Sequence, residues 1–303
     1  MADKPIILVT GATGAQGGSV AHFLAKSGKY KVRALTRDAH SKKAAALGPE
    51  GVEVVEGNLD DKGSLLKAMK DCYGVFGVTN FWEHFEKEAQ QGRNLIDAVK
   101  ESNIEHFVLS SLPPVNKISG GELSSPHFDI KADYEDYARS LKLNSTFTHV
   151  AFYFDNFLSF FAIKKGEDGN FHFGFPQSEK TKLGGVAVGD VGGVIAGIFE
   201  NKDQYLGKTI RIVGDALYPQ DYARIMSEIL GVKVIFDYID RNTFTGFDFP
   251  GAADIADMFE FYSKFIPDEQ KPIEESKKLF PAIKNFETWL SENKSKFDEI
   301  VGK

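Results

Sequence analysis

The chain contains very little cysteine and no long basic stretch. Its single cysteine, Cys72, excludes an intrachain disulfide and a cysteine-rich metal site. The 303 residues carry a net charge of -7, and no cluster of Lys and Arg of any length is visible. Because nucleic acids are bound through such clusters, we expect no nucleic acid as a direct partner. We also expect a metal-free protein that works in a reducing compartment.

Long apolar runs are missing as well. The most apolar stretch, 150–163, is interrupted by Asp155, Asn156 and Ser159 and is too short to span a bilayer. The first predicted strand starts within a few residues of Met1, which leaves no room for a targeting segment. We therefore expect no membrane contact and a cytoplasmic protein, with access to the nucleus left open. Phenylalanine, by contrast, is abundant: 26 residues, mostly in the later half, indicate an aromatic core or an apolar cleft.

A glycine-rich turn follows the first apolar run. The run PIILVT at 5–10 is typical of a strand, and 19–26 continues as an amphipathic helix. Between them, glycines recur at three-residue spacing. Strand, tight turn and helix in this order suit a dinucleotide pyrophosphate, because glycines let the backbone approach the phosphates and the helix start offers N–H groups. Against the alternative of a merely structural turn, we predict a nucleotide-binding loop: Gly11, Ala12, Thr13, Gly14, Ala15, Gln16 and Gly17.

Strands and helices are predicted to alternate after this loop. Strands are indicated at 30–36, 51–57, 73–79 and 106–110, and a long helix at 85–102. Strands alternating with helices at this spacing indicate parallel βαβ units. The sequence therefore predicts an α/β fold with a doubly wound, Rossmann-type parallel sheet.

A second, smaller α+β domain is predicted for the later half of the chain. We expect the nucleotide-binding domain at 1–152, completed by a returning helix and strand at about 186–214, and the smaller domain at 153–303. The two are expected to form a cleft. Within this half, Asp190 is predicted to cap a helix that ends near Glu200.

The residue after the second strand distinguishes NAD from NADP. An acidic side chain there accepts the ribose 2′-hydroxyl, whereas arginine suits a 2′-phosphate. The chain has Arg37 at this point, with Lys42 and Lys43 downstream, although Asp38 also stands close. We predict NADP(H) in preference to NAD(H), against the alternative that these cations form an ordinary solvated surface.

The ends of the third and fourth strands supply further candidates. Asn58 and Leu59 are expected to flank the adenine, and Thr79, Asn80 and Phe81 to line the inner phosphates and ribose. Asparagine is also a common turn residue, so each assignment is ambiguous when taken alone.

Three short motifs accompany the glycine loop: TNFWE at 79–83, HFDIK at 127–131 and YFDNFLS at 153–159. With them the chain resembles the NmrA-like family, atypical members of the short-chain dehydrogenase/reductase superfamily, and is most similar to its animal redox-sensor proteins. The resemblance implies an NADP-binding Rossmann domain and a small C-terminal domain. It also implies further cofactor contacts, from Lys131, Tyr153, Phe154, Asp155 and Asn156.

The catalytic residues of that superfamily are only partly present. Its reductases use a Tyr-x-x-x-Lys pair on a helix and a serine from the strand before it. Ser110 and Lys131 stand at the expected places, but His127 occupies the tyrosine position, and none of the ten tyrosines is followed four residues later by lysine. Tyr134, three residues after Lys131, is on the wrong side for the usual geometry. No catalytic residue is therefore assigned; Lys131, His127 and Ser110 are candidates.

The sequence leaves two classes of function open. The first is an NADP(H)-binding regulator or redox sensor with a regulated protein partner. The second is an NADPH-dependent reductase of quinones, enones or isoflavone-like substrates, using Lys131 or His127 beside an aromatic cleft formed by Phe152, Phe154, Phe157, Phe160 and Phe161. The aromatic second half could also serve as a protein-interaction surface. The sequence leaves open a homodimer and a small aromatic ligand in the cleft.

Overall fold

The computed structural model describes residues 3–266 and 269–302. They form two compact units, each built from three separate segments of chain. The first unit comprises the described residues of Met1–Pro113, Ile130–Val150 and Gly189–Arg211. The second comprises those of Pro114–Asp129, Ala151–Val188 and Ile212–Lys303. The predicted assignment of functions to domains 1–152 and 153–303, and the cleft between them, stay predictions.

Strands and helices alternate through most of the described chain. The strands are β1 (Ile6–Val9), β2 (Lys31–Thr36), β3 (Glu53–Glu56), β4 (Cys72–Gly77), β5 (His106–Ser111), β6 (Ser145–Val150), β7 (Phe152–Tyr153), β8 (Lys164–Lys165), β9 (Phe171–Phe175), β10 (Leu183–Val186), β11 (Thr209–Ile212), β12 (Asp215–Leu217) and β13 (Val234–Tyr238). The helices are α1 (Ala15–Ser27), α2 (Lys42–Ala45), α3 (Lys62–Ala68), α4 (Phe81–His84), α5 (Glu88–Glu101), α6 (Val115–Ile118), α7 (Pro126–Ser140), α8 (Val188–Glu200), α9 (Lys202–Tyr205), α10 (Pro219–Leu230), α11 (Arg241–Thr245), α12 (Ala252–Phe265), α13 (Gln270–Leu279), α14 (Phe286–Glu292) and α15 (Lys294–Val301). Short 3-10 helices span Gly48–Glu50 and Phe154–Leu158.

A seven-stranded sheet organises the first unit. Its strand order is β11-β6-β5-β4-β1-β2-β3, so the chain starts near the middle and winds outward in both directions. The pairs from β3 through β6 are parallel, with Val9 opposite Ala34 on one side and Phe76 on the other. The predicted doubly wound parallel sheet is confirmed. In such a sheet the carboxyl ends of the strands meet at one edge, which is where ligands bind.

The core of the first unit lies between this sheet and its helices. Leu8, Val75 and Phe107 from three strands pack with Leu95 of α5 and Tyr134 of α7. Every residue of β5 is buried, as expected for a parallel strand covered on both faces. No helix within the described residues combines the length and the apolarity needed to cross a bilayer.

The second unit contains two three-stranded sheets and most of the phenylalanines. The sheet orders are β12-β10-β7 and β13-β9-β8, each with one parallel and one antiparallel pair. Of the five aromatic residues expected to line a cleft, Phe152, Phe154 and Phe157 are buried in the unit itself, whereas Phe160 is 80% exposed. Their rings contact other core aromatics; the Phe157 ring, for example, lies 5.3 Å from that of Phe173. The prediction that these three side chains line a cleft was therefore wrong, because they belong to the hydrophobic core of the unit.

Two predicted helix boundaries were also wrong. The helix expected at 85–102 begins only at Glu88, as α5, because Phe85 takes a non-helical conformation at the end of the short helix α4. Asp190 does not cap α8, which already begins at Val188. The N–H of Val188 donates to Asp155 Oδ2 at 2.9 Å, so the capping carboxylate lies 33 residues away in sequence, where a local pattern cannot reveal it.

The buried Glu135 of α7 should make the protein sensitive to acid. Burial alone would raise the pKa of its carboxyl group, but hydrogen bonds with His149 (3.0 Å) and Arg139 (2.8 Å) outweigh it and lower the pKa to about 2. Because the pKa of Glu135 is lower in the folded state, its ionised carboxylate stabilises the folded protein fully at pH values above the ordinary pKa of 4.5. This stabilisation is lost as the pH falls from 4.5 towards 2. We expect Glu135→Gln to cost about 2–3 kcal/mol at pH 7 and almost nothing at pH 2. Urea unfolding at a series of pH values measures this; a cost that does not change with pH would contradict it.

Candidate functional site

The glycine loop connects β1 to α1 in the first unit. Gly11 has a φ of +61°, a conformation that favours glycine, and the Gly14 N–H donates to the Gly11 carbonyl oxygen at 2.9 Å. Gly14 is the N-cap of α1 and has no side chain to satisfy the helix start. At Gly17 an added Cβ would lie 2.3 Å from the Gly11 carbonyl oxygen. The first turn of α1 is thus in direct backbone contact with the turn that follows β1. A helix start of this kind is a favourable place for an anion.

Two neighbouring strands fix this loop from the side. Thr10 Oγ1 donates to the Val78 carbonyl oxygen at 2.9 Å, and the Val78 N–H donates back at 2.8 Å. Gln16 Nε2 donates to Ser110 Oγ at 2.8 Å, at the carboxyl end of β5. The structure therefore brings the loop and the candidate Ser110 together at the sheet edge where ligands of parallel sheets bind.

Arg37, directly after β2, forms an ion pair that local sequence patterns do not reveal. Its Nη2 lies 2.6 Å from Glu83 Oε1 on α4. The other carboxylate oxygen of Glu83 accepts a hydrogen bond from Asn80 Nδ2 at 3.2 Å. Two predicted cofactor residues, Arg37 and Asn80, thus meet at one glutamate that was not among the predicted site residues.

Asn58 and Leu59 form a turn after β3. The Asn58 N–H donates to Ser64 Oγ at 2.9 Å, and Asn58 Oδ1 accepts the N–H of Asp60 at 3.0 Å. The carbonyl oxygen of Leu59 accepts from Asn94 Nδ2 at 2.9 Å. These bonds hold the turn in place, and any role for the two residues at an adenine stays a prediction.

Lys131 lies in a buried polar cluster with Glu88, Thr79 and Tyr134. Its Nζ is 2.5 Å from Glu88 Oε1, 2.8 Å from Thr79 Oγ1 and 3.1 Å from Tyr134 Oη. Thr79 Oγ1 is also 2.8 Å from Tyr134 Oη. An ammonium group has three N–H donors, and this cluster occupies all three. Within the described residues, no hydrogen-bond donor reaches the second carboxylate oxygen of Glu88.

The cluster also sets the charges of its members. Burial alone would lower the pKa of Lys131, but the neighbouring Tyr134 and Glu88 outweigh it and the pKa is raised. Burial raises the pKa of the Tyr134 hydroxyl. At neutral pH the lysine is therefore charged and the tyrosine neutral.

Tyr134 contacts Lys131 although it follows the lysine in sequence, on the wrong side for the usual catalytic geometry. Residues three apart on a helix share a face, and the two polar groups meet at 3.1 Å. The Tyr134 side chain is nevertheless only 1% exposed, so its hydroxyl faces the protein interior. The Lys131–Tyr134 contact is therefore part of the buried structure, and the Tyr134 hydroxyl is not accessible to a substrate.

His127 lies in the second unit, in the first turn of α7. Its ring Nδ1 is 2.5 Å from Asp254 Oδ1, and its backbone N–H donates to Asp254 Oδ2 at 3.1 Å. Ser125 Oγ donates to the same carboxylate at 2.5 Å. All three side chains are buried. Asp254, in the first turn of α12, thus orients the imidazole; sequence analysis missed it because 127 residues separate the pair.

The segment Tyr153 to Asn156 also belongs to the second unit. The Phe154 ring is buried against Phe286 and Trp289, at 5.2 and 5.7 Å, and the residue is 0% exposed, so this ring is not available to a ligand. The Asp155 carboxylate caps α8, and the Asn156 carbonyl oxygen accepts the N–H of Phe161 at 2.9 Å. Their predicted cofactor contacts stay predictions.

A glycine loop at the first βα turn of a doubly wound parallel sheet defines a Rossmann-type α/β protein. The chain belongs to the NmrA-like family, whose profile matches residues 3–290. It is similar to an NmrA-like family domain-containing protein of Dictyostelium discoideum, with 30% identity over 77% of this chain and 80% of that one. It is also similar to the NmrA-like oxidoreductase FrzB of Cladobotryum, with 29% identity over 84% and 83%.

Solved structures of NmrA, described as a negative transcriptional regulator, have the same fold. Its complexes with NAD and with NADP each superpose with a TM-score of 0.84 at 22% identity, covering 99% of this chain and 98% of theirs. The expected similarity to animal family members finds no support here, because most of these relatives are fungal.

Proposed function

We propose that this protein binds NADP(H) and acts as a regulator that responds to the redox state of the nicotinamide. The observation that carries the proposal is the buried cluster around Lys131. A lysine with a raised pKa, fully hydrogen-bonded to Glu88, Thr79 and Tyr134, is a poor proton donor at neutral pH. The neighbouring tyrosine is closed off from substrate. The chain thus combines a glycine loop suited to a dinucleotide with a Tyr–Lys pair that serves structure.

The residues present fit a dinucleotide. The start of α1 and the Gly11–Gly17 loop would hold the pyrophosphate. The loop has its shape because Gly17 lacks a Cβ, which would clash with the Gly11 backbone. Arg37 would take the 2′-phosphate, with Lys42 and Lys43 adding positive charge, which favours NADP(H) over NAD(H). When bound, the nicotinamide supplies a hydride or accepts one. NADP and NAD complexes of NmrA, a protein of the same fold, support a nicotinamide dinucleotide as the ligand.

A regulator also needs a partner that distinguishes its two states, since a ligand with equal affinity for both shifts no population. We propose a regulated protein as that partner, whose affinity differs between the NADP-loaded and the NADPH-loaded chain. A homodimer is a further arrangement that this function accommodates.

The second candidate is an NADPH-dependent reductase, as the oxidoreductase names of several relatives suggest for those proteins. The pairing of His127 with Asp254 favours it. A carboxylate at Nδ1 fixes the orientation of the imidazole, and enzymes position a histidine for acid–base work in this way. Such a histidine could deliver the proton that accompanies hydride transfer to a carbonyl or quinone oxygen.

One experiment separates these functions. We expect calorimetric titration to show binding of NADP and NADPH more tightly than NAD and NADH, with no steady NADPH oxidation across a panel of quinones and enones. If the chain oxidises NADPH steadily, and His127→Gln lowers that rate by at least ~100-fold while NADPH affinity is kept, the protein is a reductase and the regulator proposal is wrong. Failure to bind any of the four dinucleotides would contradict both proposed functions.

A further inference from the structure

The pair formed by Glu83 and Arg37 points to a determinant of dinucleotide choice. We infer that Glu83 is a specificity-determining residue: it competes with the 2′-phosphate of NADP(H) for Arg37 and accepts the ribose 2′-hydroxyl of NAD(H). This inference rests on the proposed function, because it assigns a role within the same dinucleotide site.

The geometry suits a carboxylate that can exchange partners. Arg37 Nη2 and Glu83 Oε1 are 2.6 Å apart, and the two side chains are 57% and 44% exposed. Exposed pairs of this kind contribute little to stability, so an incoming anion can separate them at small cost. Asn80 Nδ2, 3.2 Å from Glu83 Oε2, keeps the carboxylate beside the end of β4 when the arginine leaves.

Carboxylate and phosphate compete for the same feature of arginine. The guanidinium presents a planar fork of N–H donors that fits either anion. The 2′-phosphate of NADP(H) must displace the Glu83 carboxylate from the guanidinium before it can bind there. The ribose of NAD(H) ends in a neutral hydroxyl that can donate to a carboxylate. Removing the charge of Glu83 should therefore strengthen the binding of NADP(H) and weaken the binding of NAD(H).

Glu83 supplies the acidic group that NAD-binding sheets place directly after β2. Here that place holds Arg37, and the carboxylate comes from α4 at the end of β4. A site with an arginine and a glutamate in contact can serve both dinucleotides, and the charge on Glu83 sets the balance between them.

Trp82, next to Glu83, offers an independent readout. Its side chain is 39% exposed, and its ring packs on Phe81 and Phe85 at 5.1 and 5.9 Å. The second tryptophan, Trp289, is buried in the second unit. In a Trp289→Phe background, fluorescence therefore reports the environment of α4 alone.

The test measures calorimetric Kd values of NADPH and NADH for the unmodified chain, Glu83→Gln, Arg37→Gln and the double variant. We expect Glu83→Gln to tighten NADPH binding by about 2–5-fold and to weaken NADH binding by about 3–10-fold. Arg37→Gln should weaken NADPH binding by at least ~10-fold, and Glu83→Gln should then no longer tighten it. NADPH should change Trp82 fluorescence more than NADH does. Glu101→Gln is the matched control, since it breaks an equally exposed pair with Lys62 (2.7 Å) and should leave both Kd values unchanged.

The outcomes are distinct. A ratio of NADPH to NADH affinity in Glu83→Gln that stays within about twofold of the unmodified chain overturns the inference while the proposed function stands. Tightening of NADPH by Glu83→Gln even without Arg37 overturns it too, because the competition would not involve the arginine. An unmodified chain that binds neither dinucleotide overturns the proposed function and this inference together.

Discussion

Lys131→Met is expected to destabilise the protein by about 3–5 kcal/mol. Methionine nearly matches the lysine stem in length, so the main change is the loss of the ammonium group. The Glu88 carboxylate then stays buried with no counter-ion, 0% exposed, and Thr79 and Tyr134 lose a hydrogen-bond partner. The free energy of unfolding, from urea titration followed by circular dichroism, measures the loss.

Two variants test the cause. In Lys131→Met combined with Glu88→Leu both charges are gone, and most of the lost stability should return, because a buried ion pair and an apolar replacement are often close in free energy. Thr79 and Tyr134 can still bond each other across 2.8 Å. Lys62→Met breaks an exposed pair with Glu101 and should cost less than about 1 kcal/mol. A double variant less stable than either single one would contradict this account.

Because the loss of Lys131 costs stability, a loss of activity in a Lys131 variant has two possible causes. A Lys131→Ala variant that loses turnover or binding does not identify an acid–base group, because removal of the ammonium also destabilises the helix and strand ends that surround it. Activity must be compared with that of the double variant, where the charge balance is restored. Catalysis that depends on Lys131 would be lost in both, whereas a structural effect would largely recover.

The fold could be predicted from the sequence because the strands and turns of a parallel sheet have distinctive local sequence patterns. Buried strands such as β4 and β5 are apolar runs of fixed length, and the glycine loop marks the turn between β1 and α1. The bounds of helix α10 have the same local origin, since Pro219 opens it and Gly231, with a φ of +66°, ends it. These signals come from neighbours in sequence.

The charges of the candidate site could not be predicted in this way. Arg37 and Lys131 were expected to face a cofactor, but each is neutralised by a glutamate 46 or 43 residues away in sequence. Both glutamates, Glu83 and Glu88, come from the segment after β4, which places two carboxylates beside two predicted cofactor cations. A change in that segment would alter both cations together, and spacing along the chain gives no sign of it.

Gly17→Ala is expected to weaken dinucleotide binding by at least about tenfold and to cost about 1–3 kcal/mol of stability. The new Cβ would stand 2.3 Å from the Gly11 carbonyl oxygen and 2.6 Å from that of Thr10. Both are backbone atoms, so no side chain can turn aside. Helix α1 would have to move away from β1, which shifts the N–H groups proposed to hold the pyrophosphate. Calorimetric Kd values for NADPH, taken well below the melting temperature, separate the loss of binding from the loss of stability.

Gly189→Ala is the matched control for this prediction. It makes the same exchange within a helix of the first unit, where an added Cβ has no atom within 4 Å. It should leave the Kd unchanged and raise stability by up to about 1 kcal/mol through the better helix propensity of alanine. If Gly17→Ala kept the Kd within about twofold of the unmodified chain, the loop would not hold the pyrophosphate, and the close contact of α1 with β1 would serve packing alone.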